Sequence, residues 1–156
     1  MSSSTRLVRD LMRTNVTTIG RNQSLRTVDD VMRLGRIRHM PVVDDDGSLV
    51  GILSQRDLFH GGLLRALGYG SHARDKALDT LVVKEAMKTD VLTTTPDTLL
   101  AEAAKLMLDH KVGCLVVLEG ARLVGILTES DFVRLVVDTE AAAIRDGVRQ
   151  SVLATR

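Results

Sequence analysis

Apolar and polar residues follow two different rhythms along this chain, and the succession of rhythms occurs twice. After Ser24, apolar residues fall at Leu25, Val28, Val31 and Met32 before Gly35, the three-to-four-residue spacing of a helix with one buried face. Ser24 is suited to cap the start of that helix and Gly35 to end it. Two short apolar runs follow, HMPVVD and LVGIL, joined by the polar turn DDDGS, as expected of paired strands. Later the series returns. Pro96, Asp97 and Thr98 open a helix with the stripe Leu100, Ala103, Ala104 and Met107, and CLVVL and LVGIL read as strands joined by EGAR. Ahead of each series stand a short helical lead-in ending in Met (LVRDLM, VVKEAM) and a β-prone run (NVTTI, DVLTTT). Behind each, Ser54 or Thr128 begins another helix, so both copies read β-α-β-β-α.

Sliding the sequence along itself fixes the repeat. Met12 matches Met87, Val16 matches Val91, Leu25 matches Leu100 and Met32 matches Met107 at an offset of 75 residues. One residue is lost in the second turn, after which Gly51 matches Gly125 and Asp57 matches Asp131 at 74. The expected fold class is α/β (α+β), with two β-α-β-β-α units packed sheet to sheet with pseudo-twofold symmetry. A unit of this size alone would bury only roughly 60% of its unfolded surface. The expected organisation is a first unit over 7–60, a helical connector over 61–81, a second unit over 82–137 and a C-terminal helical tail over 138–156. The connector is expected as two short helices broken at Gly68 and Gly70. The tail places Ile144, Val148 and Val152 at four-residue spacing, suited to packing on the pair or on a second subunit.

Composition narrows the function classes. With 44% apolar residues among 156, a packed core is available and disorder is not expected as the main state. A formal charge of +1 and the absence of Trp, with one Tyr and two Phe, argue against a nucleic-acid partner. One cysteine, Cys114, allows no internal disulfide and fits a reducing compartment. A polar N-terminus and the lack of any long apolar run predict no signal peptide and no membrane span, hence a cytoplasmic protein.

The repeated phrases LVGILSQRDL and LVGILTESDF place Ser54 three residues before Asp57, and Thr128 three before Asp131. The simplest role for Ser/Thr-x-x-Asp at a helix start is a capping box, in which hydroxyl and carboxylate serve the unpaired N–H groups. The same arrangement also suits a nucleotide. The helix N-terminus and hydroxyl attract phosphate, and a carboxylate accepts from the paired hydroxyls of a ribose. No catalytic triad, activated nucleophile or metal-ligand spacing emerges, and Cys114 reads as a small buried hydrophobe.

The doubled series of VRDLM, VTTI or VLTTT, RHMPVVD, LVGILSQRDL and LVGILTESDF resembles cystathionine-β-synthase-type (CBS) domains in the tandem arrangement called a Bateman module. That resemblance implies a non-enzymatic regulatory module binding AMP, ADP or ATP in one or both of two clefts, with S-adenosylmethionine or NAD less favoured, and a disc-shaped homodimer. It implies that Asp57 and Asp131 hold ribose hydroxyls while Ser54 and Thr128 meet phosphate. Thr17, Thr18, Leu92 and Thr93 would line the base slot with His39, Met40 and Pro41 and with Cys114, Leu115 and Val116. Arg38 and Arg56 in the first copy and Ser130 in the second complete the expected nucleotide-binding set. One departure stands out: the usual Pro is present as Pro41 but is Val116 in the second copy. Because Arg36, Arg38, His39 and Arg56 align with Lys111, Gly113, Cys114 and Ser130, the cleft at Asp57 is expected to prefer more phosphates. With no effector domain evident, the signal would pass to a separate effector protein. The alternative is an interaction or dimerisation module in which the repeated motif only caps helices.

Overall fold

The computed structural model describes residues 5–66 and 72–154. The predicted break at Gly68 and Gly70 falls outside them, as do the side chains of Val148 and Val152. The first half contains β1 (Ile19–Gly20), α1 (Leu25–Gly35), β2 (His39–Val43), β3 (Leu49–Ser54) and α2 (Gln55–Ala66), followed by α3 (Ala73–Thr80). The second contains β4 (Thr93–Thr94), α4 (Leu100–His110), β5 (Cys114–Glu119), β6 (Arg122–Thr128) and α5 (Glu129–Ala154). Each half forms a three-stranded sheet in which the first strand runs parallel to the second and the third antiparallel to it. The two-unit α+β architecture expected from the repeat is therefore the observed one.

Each sheet packs its helices on one face. Met40, Val42 and Leu53 join Leu25, Val28 and Met32 of α1, Leu58 of α2 and Leu78 of α3 in one core. Leu115, Val117 and Leu127 join Leu100, Ala103 and Met107 of α4 in the other. Because side chains alternate across a strand, Pro41 and Val116 lie on the opposite faces. Both are fully buried and belong to neither core. The connector is more than a tether: Ala77, Leu78 and Leu81 complete the first core.

The two halves exchange their lead-in segments. Val83, Ala86 and Met87 of the second copy pack in the first core, and Val8, Leu11 and Met12 of the first copy pack in the second. Backbone pairing accompanies the exchange. Ile52 of β3 and Lys88 donate N–H to each other's carbonyls, both at 2.9 Å, and Ile126 of β6 and Arg13 do the same, both at 2.9 Å. The residues just before the lead-ins serve the helix starts, since Leu25 N–H donates to the Leu81 carbonyl and Leu100 N–H to the Arg6 carbonyl, each at 2.9 Å.

Ser24 caps α1 as predicted, accepting from the Thr27 N–H at 3.2 Å. In the second copy the helix starts later than the sequence predicts. Thr95 and Thr98 bond one another ahead of it, and Leu99 stands at the cap with no side-chain bond. The missing side-chain acceptor is offset by the Arg6 carbonyl. Both α1 and α4 end in a left-handed residue that is not glycine, Arg36 (φ 51°) and Lys111 (φ 54°). The final helix runs unbroken from Glu129 to Ala154, with Phe132 and Leu135 against the core and Ile144 exposed. No helix among the described residues is long and apolar enough to cross a membrane.

Candidate functional site

A cavity of about 1070 Å³ opens along the junction of the two units. Its walls are built by the ends of β2, β3, β5 and β6, by the starts of α2 and α5, and by the extended residues ahead of β1 and β4. Those extended residues explain why β1 and β4 have only two residues each where the sequence predicts longer strands. Asn15, Val16 and Thr17, like Val91 and Leu92, line the cleft instead of extending the strands.

Cations dominate the lining. Arg13, Arg36, Arg38, Arg56, Lys88, Lys111 and Arg134 face Asp57, Asp90 and Glu129, an excess of four positive charges in a chain whose formal total is +1. Arg36 and Lys111 reach this wall through their left-handed backbone, a conformation that costs a non-glycine residue roughly 1–2 kcal/mol. Their position at helix C-termini offsets part of that cost through the helix dipole. Arg38 spans the junction and donates to the Ser130 hydroxyl at 3.0 Å. His39 lies beside Gly113 and Glu129 of the other unit: a Cβ on Gly113 would stand 3.4 Å from the His39 Nε2 and 3.3 Å from the Glu129 Oε2. Burial, reinforced by the Arg38 charge, holds the His39 pKa below its ordinary value, with Glu129 and Asp57 opposing.

Both Ser/Thr-x-x-Asp motifs form capping hydrogen bonds. The Asp57 Oδ2 accepts from the Ser54 N–H at 2.8 Å and from the Ser54 hydroxyl at 2.6 Å, and the Ser54 Oγ accepts from the Asp57 N–H at 3.1 Å. The Asp131 Oδ2 accepts from the Thr128 N–H at 2.9 Å and the hydroxyl at 3.0 Å. The other carboxylate oxygens point to cations from the opposite lead-ins: Asp57 Oδ1 has Lys88 Nζ at 3.4 Å, and Asp131 Oδ1 accepts from Arg13 Nε at 2.9 Å. The Asp57 side chain is 12% exposed and lines the cavity, whereas that of Asp131 is 4% exposed and does not line it.

Of the residues expected from sequence, Thr17, Arg38, His39, Ser54, Arg56, Asp57, Leu92, Cys114, Thr128 and Ser130 meet in this one cleft. Met40 and Leu115 place their side chains in the cores, and Pro41 and Val116 are buried behind the wall. Thr18 and Thr93 stand outside the lining, Thr93 at a separate depression of about 610 Å³ beside α4. Sequence reasoning overlooked Arg13 and Lys88. The signal was there, because both copies carry a cation directly after the lead-in Met at the same offset of 75.

The Pro41/Val116 difference has a local effect. Val116 N–H donates to the Leu92 carbonyl at 3.2 Å, while the matching carbonyl of Thr17 stands opposite a proline with no N–H to give.

The sequence model of the CBS domain matches residues 8–62 and 83–138. A homoserine O-acetyltransferase of Methanococcoides burtonii is 35% identical over 130 residues, which are 83% of this chain and 24% of that protein, so the chain spans about a quarter of the relative's length. A Vibrio cholerae structure provisionally named an acetoin utilization protein (AcuB) superposes with a TM-score of 0.71 at 36% identity, covering 90% of this chain and 96% of its own. Two further structures at 26% identity carry ligands. The CBS domain pair of protein MJ0100, in complex with 5′-methylthioadenosine and S-adenosyl-L-methionine, has a TM-score of 0.70 over 86% of this chain and 98% of its own. CBSX2 in complex with AMP has a TM-score of 0.69 over the same shares. The chain is a member of the CBS domain family, carrying two CBS domains in tandem as a Bateman module.

Proposed function

We propose that this protein is a regulatory sensor that binds an adenosine nucleotide, AMP, ADP or ATP, in the cleft between its CBS domains and signals to an effector protein by conformational change. The observation that carries this reading is the cleft's excess of four positive charges beside the carboxylate of Asp57. Guanidinium groups suit phosphate oxygens, and a carboxylate lining the cleft suits ribose hydroxyls. AMP and S-adenosylmethionine in the similar structures support the same ligand class. Arg36, Arg38 and Arg56 favour the more highly phosphorylated ligands near Asp57. The match to the CBS domain model supports a regulatory reading, and the acetyltransferase name belongs to a relative of which this chain covers 24%. A homodimer acting in the cytoplasm is the proposed setting.

Thermal unfolding against AMP, ADP, ATP, S-adenosylmethionine and NAD tests it. Ligand at a hundredfold its Kd stabilises by about 2.7 kcal/mol, roughly 5–11 °C for a chain of this size, and Asp57→Ala removes the shift. A second reading rests on the capping hydrogen bonds at both motifs. No shift with any ligand at millimolar concentration would leave the motifs as helix caps in a protein-interaction module.

A further inference from the structure

We infer that Arg13 closes the second of two pseudo-equivalent ligand positions, so that the chain takes one ribose-bearing ligand, at Asp57. The inference rests on the nucleotide reading above and concerns which half of the cleft performs it.

Arg13 and Lys88 occupy the same position in the two copies, each clamped by a pair of 2.9 Å backbone hydrogen bonds to the opposite sheet. Their backbones are thus equivalent and their side chains are not. The Arg13 Nε donates to the Asp131 Oδ1 at 2.9 Å, and Arg13 lines the cavity while Asp131 does not. The guanidinium therefore stands between the carboxylate and the cleft. With Oδ2 serving Thr128 and Oδ1 bonded to Arg13, an incoming diol must displace the guanidinium to reach Asp131. At Asp57 the matching cation is Lys88, 3.4 Å from Oδ1 on a side chain that is 66% exposed. A hydrated ammonium on a flexible stem swings aside more readily than a planar guanidinium bonded through Nε.

The wall behind each carboxylate differs in the same sense. In the second half the Leu92 carbonyl is consumed by Val116 N–H at 3.2 Å, whereas Pro41 leaves the Thr17 carbonyl without that donor. Thr17 itself lines the cleft. That difference favours the first position, while the obstruction of the second is Arg13 alone.

Calorimetric titration of the full chain with AMP and ATP decides the matter, with folding of every variant checked by circular dichroism. The wild type is expected to bind one ligand per chain and to lose it in Asp57→Asn. Arg13→Ala and the milder Arg13→Lys, which copies the first half, are expected to bind two, returning to one in Arg13→Lys/Asp131→Asn. The exchange Arg13→Lys/Lys88→Arg is expected to move the single site, so that its binding survives Asp57→Asn. Two ligands on the wild type, or one ligand on Arg13→Lys with the Asp57 site still active, overturns the role of Arg13 alone. Absence of binding across all variants overturns the nucleotide reading beneath it.

Discussion

Gly51 and Met87 touch so closely that a Cβ on the glycine would stand 2.7 Å from the Met87 Sδ and 2.9 Å from the Lys88 carbonyl oxygen. Gly125 meets Met12 and Arg13 in the same way, at 2.7 Å and 3.1 Å. The glycine shared by the two LVGIL phrases is therefore where the opposite lead-in crosses the sheet.

Gly51→Ala is expected to destabilise the fold by about 1–3 kcal/mol, because the methionine can turn away but the carbonyl belongs to a paired backbone. Gly147→Ala, with nothing within 4 Å of a new Cβ in α5, is expected to stabilise by up to about 1 kcal/mol. Urea denaturation of both variants reads the contrast, and equal effects would contradict the crossing.

The two aspartates are expected to differ in stability as well as in binding. Asp131→Ala removes a cap and a 2.9 Å bond to Arg13 from a nearly buried carboxylate, an expected loss of about 2–3 kcal/mol. Asp57→Ala removes a cap and a looser ion pair with an exposed lysine, an expected loss of about 1 kcal/mol. Chemical denaturation midpoints that fall equally would refute this ordering.

Much of this was legible in the sequence. Periodicity placed α1, β2, β3, β5 and β6, because each buries one face in a regular rhythm. The exchange of lead-ins was not legible, since it is written in backbone hydrogen bonds, which any residue at Arg13 or Lys88 could supply. Nor was the closure of Asp131. It depends on a side-chain reach across units that a linear motif does not encode. The late start of α4 reflects competition, in which Thr98 bonds Thr95 while a neighbouring carbonyl serves the helix. The uninterrupted α5 follows from the lack of Pro or Gly between Glu129 and Asp146.

Acidification is expected to weaken the fold through His39. Its folded pKa is lowered by burial and by Arg38, so the unfolded chain binds a proton more readily. The stability this contributes is fully present above about pH 6.5 and is lost as pH falls through the folded value. A His39→Gln variant should show a flatter dependence of denaturation midpoint between roughly pH 7 and 5; an unchanged slope would assign the effect elsewhere.

Cys114 is expected to resist thiol reagents. Burial first, and the Asp131 charge second, push its pKa up to about 12, so the nucleophilic thiolate is scarce at neutral pH. At pH 8 the folded protein should label far more slowly than the protein in denaturant, and comparable rates would contradict the packing around Cys114. Because the folded pKa is raised, stability is held below about pH 9 and declines as pH climbs toward 12.

The exchanged lead-ins also bear on why the motif is doubled. A single copy holding Val8 or Val83 would have to borrow the matching segment from another molecule to fill its core. Its folding would then depend on how often two molecules meet. Tethering both copies in one polypeptide makes that encounter intramolecular, at an effective concentration on the order of millimolar. The core closes equally well in a dilute cell extract and a crowded one.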